Sequence, residues 1–252
     1  MMLDGRNDVS IAQIVIYVPI LFVSIALIFR DGFTRSGGWI GVNIFALIRI
    51  IGSSMELATI AKPDVVGLNV GSAILSAVGL SPLLLAALGL LRRLAASSRG
   101  PGKAHWTDTI HVHAIQLLVI VGLALALVGG FHSGSDYEHT GTYSPQTISK
   151  VATVLFIVSL LAIGVVTHLT SRKLFAMGSN SDKPLMLAVI ASLPFLLVRL
   201  VYSILTNFVN KPQYNTLDGS VTVWVCVSVI EEMITCLIYE TAGFMARGER
   251  SD

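Results

Sequence analysis

Charge is what this 252-residue sequence has least of. Asp, Glu, Lys and Arg make up 13% of the chain, while hydrophobic residues reach 54%. A soluble domain carries about twice that share of charge. The composition therefore excludes an ordinary soluble domain and points to lipid as the solvent of the long apolar stretches. Cysteine is almost absent too. Cys226 and Cys236 lie ten residues apart in one apolar run, where a single helix would keep them from bridging. They do not report on redox compartment or indicate a metal site. The net charge of +2 comes without a basic stripe or an aromatic platform, which argues against nucleic acid as a partner. The chain shows no Asn-x-Ser/Thr acceptor and no lipidation signal. It also shows no internal repeat, so the usual signature of a paired-repeat transporter is missing.

What is present is a series of apolar runs. A membrane helix needs roughly 20 mostly apolar residues at about 1.5 Å of rise each. Seven segments meet that test: Ile11–Phe29, Trp39–Ile60, Val65–Leu91, Ile110–Phe131, Ile148–Thr170, Pro184–Phe208 and Val221–Ala246. The first follows a stretch with Asp4, Arg6 and Asp8 and is long enough to span, so it is expected as a helix rather than a cleaved signal peptide. The third is rich in small residues and contains Ser81-Pro82, a kink that neighbouring helices can accommodate. The connections are short and polar, as at Ser97-Ser98-Arg99-Gly100-Pro101-Gly102, and none could hold a second domain. The expectation is an all-α integral membrane bundle, one domain over residues 1–252.

Basic residues are distributed unequally between the two sets of loops. Arg30, Arg35, Arg92, Arg93, Arg99, Lys103, Arg172, Lys173, Lys183, Arg247 and Arg250 fall on one side, and Arg6, Lys62, Lys150 and Lys211 on the other. The positive-inside rule then expects the N-terminus outside or lumenal and the C-terminus cytoplasmic.

Two arginines remain, both inside spans: Arg49 in the second and Arg199 in the sixth. Carboxylates accompany them, Glu56 in the second span and Glu231 and Glu232 in the seventh. Each ionisable group at the bilayer centre costs about 3 kcal/mol by insertion scales and so needs a partner or a wet cavity. Two arginines against three carboxylates suggest one nearly balanced buried cluster. Arg49 and Glu56 are two turns apart and share a face with Ser53. Arg199 has Tyr202 and Ser203 at its next turn, with Asn207 beyond. Glu231 and Glu232 point about 100° apart, and Glu232 continues the stripe of Ser228, Cys236 and Tyr239. Glu232 is the expected inward acid, with Glu231 pairing to a neighbouring helix. Glu240 lies nearer the cytoplasmic end, where its side chain would snorkel. An Arg–Glu pair can also simply lock helix register, so each of these residues has a structural reading beside the functional one.

Other polar groups point to surfaces. His111 and His113 stand two residues apart at the start of the fourth span and do not share a helical face, which disfavours a shared metal. His132, Asp136, Glu138 and His139 are expected in a solvated outer loop that could serve as a lid. His168 reads as interfacial, and Trp39 and Trp106 as interface anchors.

Three of these segments carry a resemblance. Phe-Ala-Leu-Ile-Arg-Ile-Ile-Gly at 45–52, Leu-Pro-Phe-Leu-Leu-Val-Arg-Leu-Val-Tyr-Ser at 193–203 and Glu-Glu-Met-Ile-Thr-Cys-Leu-Ile-Tyr at 231–239 resemble a family of fungal seven-helix membrane proteins, several of them encoded in secondary-metabolite clusters. The resemblance places the family's arginines on Arg49 and Arg199 and its acid on Glu232, with Glu56 following the first arginine motif. It implies epoxide-opening hydrolase or cyclase roles in polyketide pathways. The architecture, though not the motifs, is also similar to that of small fungal membrane-bound terpene cyclases.

The expected chemistry is acid–base catalysis inside the membrane on a lipophilic small-molecule substrate that enters between helices. A desolvated carboxylic acid, Glu232, would protonate an epoxide oxygen or an alkene. Glu56 would be its partner, activating water or an internal hydroxyl. Arg49 and Arg199 would orient the acids and steady negative charge on oxygen, with Tyr202 and Tyr239 as auxiliary donors. No metal or organic cofactor is required, and the implied partners are the lipid bilayer and other membrane-bound pathway enzymes. Two other functions compete: a seven-helix receptor, although no receptor-type motif is present, and an export protein, although repeats are absent.

Overall fold

The computed structural model describes residues 5–32, 36–62, 65–97, 106–140, 146–177, 183–209 and 221–246. Among these residues the chain is helical, with no strand. The helices are α1 (Gly5–Asp31), α2 (Gly37–Ala61), α3 (Val66–Val78), α4 (Leu80–Ser97), α5 (Trp106–Thr140), α6 (Thr147–Met177), α7 (Lys183–Ile204), α8 (Val221–Trp224) and α9 (Ile230–Met245). A π-helical turn, π1 (Leu205–Val209), extends α7, and a second, π2 (Val225–Val229), joins α8 to α9. By length and apolar composition seven helices suffice to cross a membrane: Gly5–Asp31, Gly37–Ala61, Gly67–Ala96, Val112–Asp136, Thr147–Arg172, Lys183–Val209 and Val221–Met245. Each overlaps one of the seven expected segments.

The third span, α3–α4, is the axis of the bundle. It is 78% buried, against 50% or less for every other span. Helices α2, α5, α6, α7 and α9 pack on it, while α1 packs on α2 and α9. Small residues cause this arrangement, because in lipid close backbone approach replaces the hydrophobic drive between helices. A Cβ on Gly41 would lie 2.7 Å from the Ala86 nitrogen. One on Gly89 would collide with the backbone of Gly37 and Gly38. At the far end of α1, Gly32 adopts φ 77° and donates its N–H to Ile28 O at 3.1 Å, a left-handed cap that stops the helix.

Three expectations are corrected here. The stretch holding His132, Asp136, Glu138 and His139 is not a loop but the last turns of α5, which runs 35 residues. Close packing holds it helical: Gly130 lies against Ile74, Gly134 against Val70, and Asp136 accepts a hydrogen bond from Gln146. Trp39 is not an interface anchor. It is 0% exposed, packed on Gly243 and Leu27, and its indole N–H donates to Asp31 at 3.1 Å. Glu240 does not snorkel; it is buried, and its Oε1 has no partner. His168 is exposed. The loop from Ser98 to Gly102 and the side chains of Trp106, His111, Glu138 and His139 lie outside the described residues.

Candidate functional site

The site begins with the break in the third span. Pro82 has no N–H, so the carbonyl of Val78 loses its helical donor. The Ser81 hydroxyl replaces it at 2.9 Å. Helix α3 stops at Val78, Gly79 forms a turn, and α4 starts at Leu80. The Ser76 and Ala77 carbonyls beside that break accept hydrogen bonds from arginines instead. Arg199 Nη2 donates to Ser76 O at 3.0 Å and to Ala77 O at 3.4 Å, and Arg49 Nη2 donates to Ser76 O at 3.4 Å. The break in the central helix thus supplies part of the solvation that water would give a guanidinium.

Glu232 of α9 completes the centre. Its Oε1 accepts from Arg199 Nε at 2.7 Å, and its Oε2 accepts from Arg49 Nη2. The three side chains come from α9, α7 and α2, and none is more than 2% exposed. Ser203 accepts from Arg199 Nη1 at 3.0 Å. Phe45 and Tyr202 each present a ring 5.5 Å from one guanidinium, Phe45 to Arg49 and Tyr202 to Arg199. Gly79 lies directly against the ion pair. A Cβ there would stand 2.8 Å from both Arg49 Nη2 and Glu232 Oε1, so the cluster closes only over a glycine.

The structure brings together Arg49, Arg199 and Glu232, but not the full set of five charges. Glu56 instead accepts a hydrogen bond from Ser72 of α3 and, among the described residues, forms no ion pair. The physical reason is its position two turns beyond Arg49: the helix points both inward but at different depths, and α3 meets Glu56 first. Among the described residues Glu231, half-buried, makes no ion pair and leaves Oε2 without a partner, contrary to the expected pairing with a neighbouring helix. The cluster is therefore not balanced. Two guanidiniums face one carboxylate. The Ser228, Glu232, Cys236 and Tyr239 stripe is buried throughout, as its spacing suggested.

A cavity of about 60 Å³ adjoins Arg199. At about 10–15 Å³ for each water-sized occupant, it has room for a few small groups and not for a whole polyene. Its polar wall includes Ser203, Asn207, Thr153 and Tyr202, and its apolar wall includes Ala152 and Phe156. Asn207 is fixed there by donating to Thr153 Oγ1 at 2.9 Å and to Ser203 O at 3.0 Å. Turn π1 carries Asn207, and Trp224, in the same wall, immediately precedes π2. Tyr239 lies away from this cavity and shares a 2.8 Å hydrogen bond with Ser192. Among the described residues no group of three or more His, Cys, Asp and Glu is gathered as a metal site would require.

Several participants escaped the sequence reading. Gly79 was visible only as one glycine in a small-residue run. The Ser76 and Ala77 carbonyls carry no side-chain signal, although Ser81-Pro82 pointed to freed backbone nearby. Nothing in local composition marks π1 or π2, because a π turn depends on tertiary packing around it.

The chain matches the model of the DUF7702 family, described as a domain of unknown function, over residues 3–249, and belongs to that family. No curated protein and no solved structure matches it.

Proposed function

We propose that this DUF7702 member is a membrane-embedded acid–base enzyme that opens an epoxide, or closes a ring, on a lipophilic polyketide or terpenoid intermediate of a fungal secondary-metabolite pathway. The observation that carries this reading is the meeting of Arg49, Arg199 and Glu232 at the bundle centre beside a small cavity with polar side chains in its wall. In the hydrolase form one epoxide C–O bond breaks and a new one forms from water. The water's proton passes to a carboxylate, a proton reaches the epoxide oxygen, and a diol results. In the cyclase form an internal hydroxyl replaces water and the product is an isomer of the substrate.

Glu232 is the proton-exchanging group, and Arg199 and Arg49 hold it and steady charge on oxygen. Tyr202, in the cavity wall, serves as the donor to the leaving oxygen. Glu56, bound to Ser72, is left out of the reaction, and Tyr239 supports α9 from the far side through Ser192. The excess of basic residues in one set of loops supports a lumenal N-terminus in the endoplasmic reticulum or another endomembrane. That orientation puts the cavity in the lumenal half.

One observation favours a second reading. Both Glu232 oxygens are already held by guanidiniums, which suits a receptor or export protein that binds without turnover. Metabolite analysis of a deletion strain separates the two. Accumulation of an epoxide-bearing or less cyclised precursor supports the enzyme; accumulation of unchanged final product, or no metabolic change, supports the alternatives. In a host supplied with precursor, Glu232→Gln and Arg199→Ala proteins are expected to leave it unconverted. Conversion at the parental rate by either would end the acid–base proposal.

A further inference from the structure

Buried positive charge and spare donors meet at the cavity beside Arg199. Ser76, Ala77 and Ser203 line that cavity, and they are the acceptors of Arg199 Nη1 and Nη2. This edge of the guanidinium therefore borders the cavity. Each terminal nitrogen carries two N–H groups. Nη2 donates to two carbonyls, whereas Nη1 donates to Ser203 alone among the described residues and keeps one N–H unused. Ser203 gives only a 3.4 Å bond to the Arg199 carbonyl, so its own O–H is free to turn to an occupant. The indole N–H of Trp224, in the same wall, has no acceptor among the described residues and can only donate. No Asp or Glu stands among the described residues of this wall.

The charge is not balanced by the protein. With Glu232 as a carboxylate, Arg49, Arg199 and Glu232 sum to one positive charge. Glu56 lies two turns from Arg49, about 10 Å along α2, and bonds Ser72 instead. A net charge held where water is scarce is costly, and a counter-ion in contact with it offsets much of that cost. Helix α6 adds to the same field, because Ser149 of the wall stands in its first turn, at the positive end of the helix dipole. Size then limits the occupant. A volume of about 60 Å³ admits a single-atom anion with a few waters and excludes a lipid chain. Ser149, near the start of α6, and Trp224, near the start of α8, keep the route from the bundle end short.

We propose that this cavity is a halide site, taken by chloride. Arg199 Nη1 is its principal donor, with the Ser203 hydroxyl and the Trp224 indole beside it. The inference goes beyond the acid–base reading and does not depend on it, since binding is measured without precursor.

Equilibrium dialysis of the full chain in nanodiscs against radioactive chloride tests it, in gluconate buffer of constant ionic strength. Gluconate is too large for the cavity. Saturation at a single chloride per chain is expected, with bromide displacing it. Arg199→Gln should abolish the binding. Ala152→Val narrows the cavity, leaves every charge in place and should weaken binding about tenfold. Ser203→Ala, a milder change, should weaken it about threefold. Arg93→Ala, which removes a guanidinium paired to Asp31 elsewhere in the bundle, should leave it unchanged. No saturable chloride above empty nanodiscs would overturn the inference, as would parental affinity in folded Ala152→Val and Ser203→Ala proteins. Loss of binding in folded Arg93→Ala but not in Ala152→Val would place the ion at Asp31's arginines and equally refute it. Glu232→Gln should bind chloride at least as tightly while converting no precursor. Chloride binding retained there with conversion at the parental rate would sink the acid–base reading and leave the halide site standing.

Discussion

Two carboxylates in this bundle each sit between two arginines. At the centre, Glu232 binds Arg49 and Arg199, whose side chains are 2% exposed. At the bundle end opposite the N-terminus, Asp31 accepts from Arg30 at 3.0 Å, from Arg93 of α4 and from the Trp39 indole. There Arg30 is 37% and Arg93 15% exposed, so water shares the load, and Arg30 reaches on to the Gly243 carbonyl at 2.6 Å. The end cluster ties α1, α2, α4 and α9 together with every acceptor of Asp31 used by the protein. The central cluster ties α2, α3, α7 and α9 but leaves donors unused and a cavity beside it. Identical pair chemistry thus produces a clamp in one place and a candidate site in the other. Hydration of the arginines and the surplus of donors make the difference.

The comparison can be broken most forcefully at Glu232. Glu232→Ala should destabilise the protein by about 3–5 kcal/mol, because two buried guanidiniums lose their counter-charge. Thermal unfolding in detergent reads this out. A triple apolar replacement, Arg49→Met with Glu232→Leu and Arg199→Met, should recover much of that loss yet convert no precursor. A triple variant as unstable as the single would refute the view that the uncompensated charge is the cause.

Gly79→Ala comes next. Its methyl would enter the space between Arg49 and Glu232, and an overpacked core of this kind costs about 1–3 kcal/mol. Gly164→Ala, where nothing lies within 4 Å of the added Cβ, should stay within about 0.5 kcal/mol of the parent. Equal melting shifts in the two would show that Gly79 is not pressed against the ion pair.

At the end cluster Arg93→Ala should cost about 1 kcal/mol, less at high salt, and leave turnover intact. A large loss of conversion would make this clamp part of the site. Smallest of all, Glu56→Gln keeps an acceptor for Ser72 and should change stability by under about 0.5 kcal/mol and conversion rate less than about twofold. A collapse in rate would restore Glu56 as the catalytic partner expected from its spacing to Arg49.

Much of the bundle was legible because bilayer thickness sets span length and a helix has one fixed period. The seven spans follow from run length alone, and the shared face of Ser228, Glu232, Cys236 and Tyr239 follows from spacing alone. The choice of Glu232 over Glu231 as the inward acid followed from that same stripe. Spacing failed at Glu56, because a two-turn separation fixes direction but not which neighbouring helix meets the carboxylate. It failed at α5 as well, where polar residues suggested a loop and contacts with α3 and α6 held a helix.

By itself the sequence determined seven helices long and apolar enough to cross a membrane, with Arg49, Arg199 and Glu232 on inward faces, since apolar run length and the 3.6-residue period are local properties. Only the tertiary structure decided that the third span is the axis, that its break at Gly79 turns carbonyls towards both arginines, and that one carboxylate serves two cations. Those outcomes depend on which helices lie side by side, and close approach between spans arises from small residues meeting across the bundle rather than from any pattern along one of them.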